Sequence, residues 1–158
     1  MTLVIPARTW QTAMAALRQP PHDHERVAYL DGPRSQHGIA IVTTVTIPSA
    51  DERQGNFHVS APEMSRAGQH LRRLQLMRLA QIHSHPAGWT GHSPYDDEMA
   101  FSQRDGAISI VVPHFAACAP GLADCGVHVR HSDGWHELGP LEKSDAVQIV
   151  PSLVDLRR

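Results

Sequence analysis

Two histidines and a nearby aspartate are the residues of this sequence whose types and spacing suit chemistry. They lie between His83 and Asp96, in the segment HSHPAGWTGHSPYD. His83 and His85 stand at the end of an apolar stretch that predicts a β-strand. Because side chains alternate across a strand, both imidazoles should point to the same face. Two imidazoles and one carboxylate form a three-ligand set for zinc that leaves a fourth position to water.

A loop and a helix start should bring Asp96 to these histidines. Pro86 ends the predicted strand, and the glycines that follow allow the chain to turn back over the strand end. Ser93 then has the character of a helix N-cap, with Pro94 in the first helical position. Ser93 to Asp96 is also an ordinary capping sequence, so this segment alone leaves open a helix cap and a metal site.

Histidine is unusually common in this chain, and most of its histidines need no function. The 158 residues include 12 histidines, against three phenylalanines, three tryptophans and two tyrosines. A zinc site uses at most about four ligands. Composition bias therefore accounts for most of the 12 histidines. A second pair with the same spacing, His22 and His24, has no turn and helix behind it and is not expected to bind metal.

Length and charge limit the class of protein. A chain of 158 residues with 41% hydrophobic residues is typical of one folded domain. Lys and Arg number 14 against 16 Asp and Glu, so the basic excess of a nucleic-acid-binding protein is absent. No apolar stretch approaches the roughly 20 residues of a membrane span. The first residues lack the features of a signal peptide, so we expect a cytoplasmic protein without nucleic-acid or membrane partners.

Predicted strands and helices are interspersed, which indicates an α/β or α+β fold with a sheet covered by helices. The predicted helices are residues 9–17, a helix that follows the N-cap Ser60, and residues 93–102. The predicted strands are residues 25–32, 38–47, 78–83, 107–112, 127–130 and 135–138. The first two of these strands are expected to form a hairpin.

The whole combination resembles the JAMM motif of the JAB1/MPN metalloprotease family. His-x-His, seven residues, Ser, two residues and Asp match that motif without a gap from His83 to Asp96. The family also has an upstream glutamate in a segment like Glu-x-x-Gly-x-Leu-x-Gly. The segment ERVAYLDG, which begins at Glu25, is similar, with Ala28 in place of the usual glycine.

The resemblance covers roughly residues 1–138 and implies a fold. That fold is a JAB1/MPN-like single domain, related to cytidine deaminases, with a curved mixed β-sheet flanked by helices. We expect this metalloprotease domain at residues 1–139 and a loosely attached C-terminal tail at residues 140–158.

The resemblance also implies a role for each motif residue. His83, His85 and Asp96 would hold one Zn²⁺ per chain. Glu25 would take a proton from the attacking water as general base and return it to the leaving amine. Ser93 would donate a hydrogen bond to the developing oxyanion. The reaction would be hydrolysis of a peptide or isopeptide bond.

Two further residues in the loop before the helix are candidates for substrate contact. Trp89 is large and apolar in a loop setting, and it could wall a groove that holds an extended substrate tail. Packing against the domain is the alternative for this side chain. His92, directly before Ser93, is the second candidate.

Family members commonly cleave ubiquitin or ubiquitin-like proteins after the C-terminal glycine. The short prokaryotic relatives occur with E1- and E2-like enzymes, in sulfur-carrier pathways and in antiviral defence, and this chain resembles that compact type. The implied partners are a ubiquitin-like protein, its conjugates and E1- or E2-like enzymes. A peptidase that releases a C-terminal amino acid from a sulfur-carrier protein remains an alternative.

Other classes fit the residues less well. A catalytically silent MPN scaffold is disfavoured because every motif position is filled. A zinc nucleobase deaminase would need His-x-Glu and Pro-Cys-x-x-Cys, and a zincin would need His-Glu-x-x-His. None of these three sequences is present.

Overall fold

The computed structural model describes residues 1–35 and 37–156, in which strands and helices are interspersed as expected. The strands are β1 (Thr2–Pro6), β2 (Val27–Gly32), β3 (Ile39–Ile41), β4 (Thr44–Thr46), β5 (Asp51–Glu52), β6 (Phe57–His58), β7 (Met77–Ser84), β8 (Ile108–Val112), β9 (Gly126–His131), β10 (Gly134–Glu137) and β11 (Val147–Val150). The helices are α1 (Ala7–Leu17), α2 (Ala61–Arg73), α3 (Pro94–Met99) and α4 (Pro140–Ala146).

A six-stranded mixed sheet positions the residues of interest. Its strand order is β10-β9-β8-β7-β2-β4. Strands β7 and β8 run parallel, whereas the other neighbours in this sheet are antiparallel. The expected mixed α/β fold is therefore confirmed. In parallel strands the carboxyl ends meet at one edge of the sheet, and ligand sites commonly lie there.

One face of this sheet packs on α1 and forms the main hydrophobic core. Helix α1 buries Trp10, Ala13, Met14 and Leu17, which recur at the spacing of one helix face. The strands contribute alternate residues to the same core. These include Ala28, Leu30, Ala80, Ile82, Ile108, Ile110, Val112 and Val127. The strand residues between them must point to the opposite face.

The opposite face carries a small apolar cluster and a set of buried polar side chains. Val27, Tyr29 and Phe57 form the cluster, with residues of α2 and of the chain after α3 against it. The buried polar residues in the alternate positions of the interior strands include Asp31, Gln81, His83, Ser109 and His128. The candidate functional residues therefore lie on this face, whereas the face that packs on α1 forms the main hydrophobic core.

The single strand expected for residues 38–47 is divided in two. Strand β3 pairs in parallel with β1, and β4 pairs in antiparallel fashion with β2. Val42 N–H donates to the carbonyl of Val4 at 2.9 Å, and Thr43 N–H donates to that of Asp31 at 3.0 Å. The chain thus crosses from one sheet to the other at this point. β-branched composition predicts a strand but does not identify its partner.

The region expected to be a loose tail is ordered over most of its length. Residues 140–150 form α4 and β11, and β11 pairs in parallel with β1 in the sheet β11-β1-β3. Val147 is buried by this pairing. The domain boundary at residue 139 stays a prediction, and residues 157 and 158 lie outside those described. Within the described ranges, no helix combines the length and apolar character needed to cross a membrane.

Candidate active site

The two histidines that were predicted as metal ligands lie at the end of β7. His83 belongs to the strand, and His85 follows Ser84, its last residue. Strand alternation brings both rings to one face, where 3.2 Å separate their Nε2 atoms. His83 is 0% exposed and His85 is 4% exposed. The His85 N–H donates to the carbonyl of Val112 at 2.8 Å, so β8 holds the backbone at this point.

Asp96 reaches the histidines from the first turn of α3. Ser93 caps this helix, because its Oγ accepts the N–H of Asp96 while the Asp96 carboxylate accepts the N–H of Ser93. The same carboxylate lies 3.5 Å from His83 Nε2 and 3.4 Å from His85 Nε2. The helix cap and the metal-site geometry, which the sequence left as alternatives, therefore coexist.

The donor atoms of these three side chains fit a metal ion. One ligand atom from each of His83, His85 and Asp96 lies within 4.8 Å of the others. His85 Nδ1 faces the carbonyl oxygen of Trp89 at 3.2 Å. Because a carbonyl only accepts, Nδ1 of the neutral ring carries the hydrogen and Nε2 keeps its lone pair for the site. Two nitrogens and one carboxylate oxygen are a suitable donor set for Zn²⁺.

Burial and charge set the protonation states of the three side chains. Burial lowers the pKa of His83 to about 3, so this ring is neutral at pH 7. Burial opposes the charge of Asp96, but hydrogen bonds from His85 and Ser93 and the nearby His83 hold its pKa well below the usual range. Burial also disfavours a charged His85, yet its hydrogen bond and attraction to Asp96 raise the His85 pKa on balance. Metal ligands must be deprotonated, as Asp96 and His83 are.

Glu25 lies beside His85 because the pairing of β2 with β7 continues past the strand ends. Ser84 N–H donates to the carbonyl of Arg26 at 2.9 Å, which extends the antiparallel register. One step further along this register, Glu25 meets His85. Glu25 is 5% exposed. Burial raises the pKa of its carboxyl to about 7, so both protonation states are accessible near neutral pH.

A pocket of about 190 Å³ opens between these groups. Its lining consists of Glu25, Gly55, His85, Pro86, Ala87, Trp89, Ser93 and Asp96. The candidate base, the candidate oxyanion donor and two of the three candidate ligands therefore meet in one cavity. The third ligand, His83, is buried beneath it. The roles assigned to these residues stay predictions.

The turn between β5 and β6 forms one wall of this pocket. Glu25 N–H donates to the carbonyl of Arg53 at 2.7 Å, at one end of the turn. At the other end, the Tyr95 hydroxyl donates to the carbonyl of Phe57 at 3.1 Å. These contacts hold Gly55 at the pocket wall. Sequence reasoning missed Gly55, because a glycine in a short polar loop gives no signal of its own.

The Ser93 hydroxyl is already engaged. Ser93 Oγ donates to Asp96 Oδ2 at 2.7 Å and accepts from the Asp96 N–H at 3.1 Å. A hydroxyl has a single hydrogen. Donation to an oxyanion therefore requires the Ser93 O–H to turn from Asp96 toward the pocket.

Trp89 both packs on the site and exposes a large aromatic surface. It is 58% exposed, and its ring stacks on His85 with a centroid distance of 5.2 Å and an interplanar angle of 24°. Gly91 lies against the indole, since a Cβ there would sit 2.7 Å from the Trp89 ring. The position is compatible with the predicted substrate wall, which remains a prediction.

His92 occupies a different place from the one predicted for it. Its side chain is only 4% exposed and does not line the pocket. Its Nδ1 lies 2.9 Å from Asp97 Oδ1, and its Nε2 lies 3.0 Å from Ser109 Oγ. Burial and the neighbouring His128 lower the pKa of His92, which favours a neutral ring. The structure therefore places His92 among the buried polar residues rather than in the lining of the pocket, and a substrate contact for it stays a prediction.

A left-handed turn holds the loop that follows His85. His114 and Phe115 have φ values of 53° and 52°, a region that residues with a side chain rarely adopt. In this conformation the His114 N–H donates to the carbonyl of Ala87 at 3.1 Å, and the Phe115 N–H to that of His85 at 2.8 Å. Backbone strain is thus concentrated beside the candidate site, as is common where geometry serves function.

Sequence reasoning also missed the buried polar residues under the site. Ser109 and His128 each interrupt a strand that is otherwise apolar at its buried positions, and Gln81 lies between the apolar residues Ala80 and Ile82 of β7. That interruption was the available signal. A polar residue at an inward-facing strand position needs a hydrogen-bonding partner, and such partners are often part of a site.

The fold and the His83–His85–Asp96 group beside Glu25 define a metallohydrolase domain of the MPN type. The chain belongs to the family described as prokaryotic homologs of the JAB domain, whose family model matches residues 7–122. That match includes Glu25, Ser93 and the three candidate metal ligands.

Similarity to known proteins agrees with this family. The chain is 34% identical over 119 residues to the "probable metalloprotease y4jG" of Sinorhizobium fredii strain NBRC 101917 / NGR234, covering 73% of each chain. Its fold is similar to protein DSY2949 of Desulfitobacterium hafniense, with a TM-score of 0.71, 20% identity and coverage of 96% of this chain and 95% of the other. It is also similar to AF2198, a JAB1/MPN domain protein from Archaeoglobus fulgidus, with a TM-score of 0.52, 16% identity and coverage of 87% and 94%.

Proposed function

We propose that this chain is a zinc-dependent isopeptidase or peptidase that cleaves after the C-terminal glycine of a ubiquitin-like protein. The reaction would process a precursor or remove the protein from conjugated targets, within a bacterial ubiquitin-like conjugation or antiviral defence system. The observation that carries the proposal is the meeting of Glu25 with His85 and Asp96 in one pocket, with His83 directly beneath.

The chemistry follows from the placement of the side chains. His83, His85 and Asp96 would hold the ion. A bound Zn²⁺ supplies a Lewis acid that polarises the scissile carbonyl and makes water a better nucleophile. Glu25 accepts the proton of the attacking water and passes it to the leaving amine, a transfer favoured by a carboxyl pKa of about 7. Ser93 turns its hydroxyl toward the developing oxyanion.

The dimensions of the pocket support an extended, small-residue substrate. Its volume of about 190 Å³ leaves little room, and Gly55 and Ala87 contribute almost no side chain to its walls. A tail that ends in glycine fits such a space. The exposed Trp89 ring offers an apolar wall for the residues that precede it. We propose that this tail lies as an extended strand beside the metal site.

The test uses zinc-loaded protein and a panel of bacterial ubiquitin-like proteins that each carry a short extension after the C-terminal glycine. Mass spectrometry of the products should show cleavage directly after that glycine. Glu25→Gln should retain zinc and lose at least about 100-fold in rate. Glu137→Gln, at an exposed glutamate of β10, is the matched control and should cleave normally. Zinc-loaded protein that cleaves none of the panel would contradict the proposed substrate class.

A further inference from the structure

Buried polar side chains form a row across three neighbouring strands beneath the site. The register places Gln81 of β7 beside Ser109 of β8, and Ser109 beside His128 of β9. These three residues, hereafter the polar row, are at most 3% exposed. Burying a polar side chain costs free energy unless its hydrogen bonds are satisfied. The partners of the polar row therefore indicate why polar residues occupy these positions.

Two members of the polar row hold the ends of one segment, residues 90–101. Gln81 Oε1 accepts the N–H of Phe101 at 3.1 Å. At the other end, His128 Nε2 donates to the carbonyl of Thr90 at 2.8 Å. This segment contains α3 and its cap, and therefore the candidate ligand Asp96.

The third member, Ser109, contacts the same segment through His92. His92 Nε2 lies 3.0 Å from Ser109 Oγ, and His92 Nδ1 lies 2.9 Å from Asp97 Oδ1. A carboxylate only accepts, so Nδ1 carries the hydrogen of the neutral ring and Nε2 accepts from the Ser109 hydroxyl. The His92 ring also stacks on His128 at a centroid distance of 4.1 Å. One ring thus joins β8, β9 and α3.

The contacts of His92 with Ser109 and Asp97 lie next to Ser93 and Asp96, the two site residues that α3 and its cap supply. His92 immediately precedes Ser93, whose N–H and Oγ both donate to Asp96 Oδ2 at 2.7 Å. His92 bonds the next carboxylate of the same turn, that of Asp97. The two nitrogens of His92 therefore connect the first turn of α3 to Ser109 of β8.

We propose that His92 is a positioning residue that, through Ser109 and Asp97, holds Asp96 at the ligand position opposite His83 and His85. The inference rests on the proposed metal site, but it does not depend on the substrate. Partners beyond the ligands of a metal site commonly change metal affinity by about 10- to 100-fold when they are removed.

The experiment compares two replacements of similar size. His92→Leu removes both hydrogen bonds, whereas His92→Asn retains a donor near the position of Nδ1 for Asp97. Zn²⁺ affinity is measured by competition with a chromogenic chelator, and the ligand geometry by visible absorption of the Co²⁺-substituted protein. We expect His92→Leu to weaken Zn²⁺ binding about 10- to 100-fold with an altered Co²⁺ spectrum, and His92→Asn to recover part of both.

Ser109→Ala and His131→Leu complete the set. Ser109→Ala removes one bond of His92 with little loss of volume, and we expect roughly tenfold weaker Zn²⁺ binding. His131 is an exposed histidine of β9, and its replacement should change neither readout.

The outcomes separate this inference from the proposed function. Wild-type affinity and spectrum in His92→Leu would overturn the positioning role. If His92→Leu does not fold, wild-type Zn²⁺ affinity and a wild-type Co²⁺ spectrum in Ser109→Ala would overturn the positioning role. Wild-type protein that binds neither ion would instead remove the metal site itself, and with it the proposed function.

Discussion

Ser93 donates two hydrogen bonds to one oxygen of Asp96, from its backbone N–H and from its Oγ, each of 2.7 Å. The other carboxylate oxygen of Asp96 faces His83 Nε2. Asp96 therefore completes the cap of α3 and also faces the buried imidazoles of His83 and His85. This double use explains how a helix of only six residues can hold a candidate ligand in place.

Ser93→Ala should cost both stability and activity. The loss of the cap should lower the free energy of unfolding by about 1 kcal/mol. The loss of an oxyanion donor should lower kcat by about 100-fold. Ser60, which caps α2 by accepting the N–H of Glu63, provides the matched control.

Ser60→Ala should lower the free energy of unfolding by a similar amount, about 1 kcal/mol, and leave kcat unchanged. Thermal unfolding and peptidase assays of both variants provide the comparison. Equal kcat values for the two variants would show that Ser93 is only a cap.

Glu25→Gln should stabilise the metal-free protein near neutral pH. The folded-state pKa of Glu25 is raised by burial to about 7, so the folded state binds this proton more tightly than the unfolded state does. The negative charge of Glu25 therefore lowers the free energy of unfolding as pH rises from the usual glutamate pKa to about 7. Above pH 7 the loss is complete. Removal of the charge should raise the free energy of unfolding at pH 8 by about 3 kcal/mol.

The comparison is made by chemical denaturation of wild type and Glu25→Gln in the presence of a chelator. The difference between the two proteins should be small near pH 4.5 and grow toward pH 7. A difference that is constant over this range would contradict the raised pKa of Glu25.

Two glycines near the site should respond in opposite ways to an added side chain. A Cβ at Gly55 would meet nothing within 4 Å, whereas a Cβ at Gly126 would sit 2.1 Å from the carbonyl oxygen of Thr90. Gly55→Leu should therefore fold and bind metal normally, but its side chain at the pocket wall should lower kcat/KM by about tenfold or more. Gly126→Ala should lower the free energy of unfolding by about 1–3 kcal/mol, because the loop that contains Thr90 must move.

Denaturation curves and kinetics with one substrate distinguish the two effects. An unstable Gly55→Leu would show that the turn between β5 and β6 has no room for a side chain. A Gly126→Ala as stable as wild type would show that Thr90 does not pack closely on Gly126.

The residues of the site were predictable because their positions follow from local geometry. Strand alternation alone places His83 and His85 on one face, and the Ser-Pro start of α3 fixes where Asp96 lies in the first turn. The position of Glu25 required the family resemblance, because it faces His85 only through the pairing of β2 with β7, which joins distant parts of the chain.

The features that escaped prediction depend on which elements become neighbours. The strand expected at residues 38–47 is divided in two because β3 pairs with β1 and β4 pairs with β2, in different sheets. The helix expected to reach residue 102 ends at Met99, and Gln81 takes the N–H of Phe101 just beyond it. His92 was a candidate for substrate contact because it lies in the loop beside Ser93, but Ser109 and His128, distant in sequence, contact its ring.

The zinc content of the purified protein, measured by elemental analysis beside that of Asp96→Ala, is the direct test of the proposed metal site. We predict about one zinc per wild-type chain and none in the variant, because removal of one of three ligands leaves too few donors. No zinc in either protein, even after zinc is added back, would contradict zinc binding by His83, His85 and Asp96. The chain would then be better described as a scaffold that retains the motif without the metal.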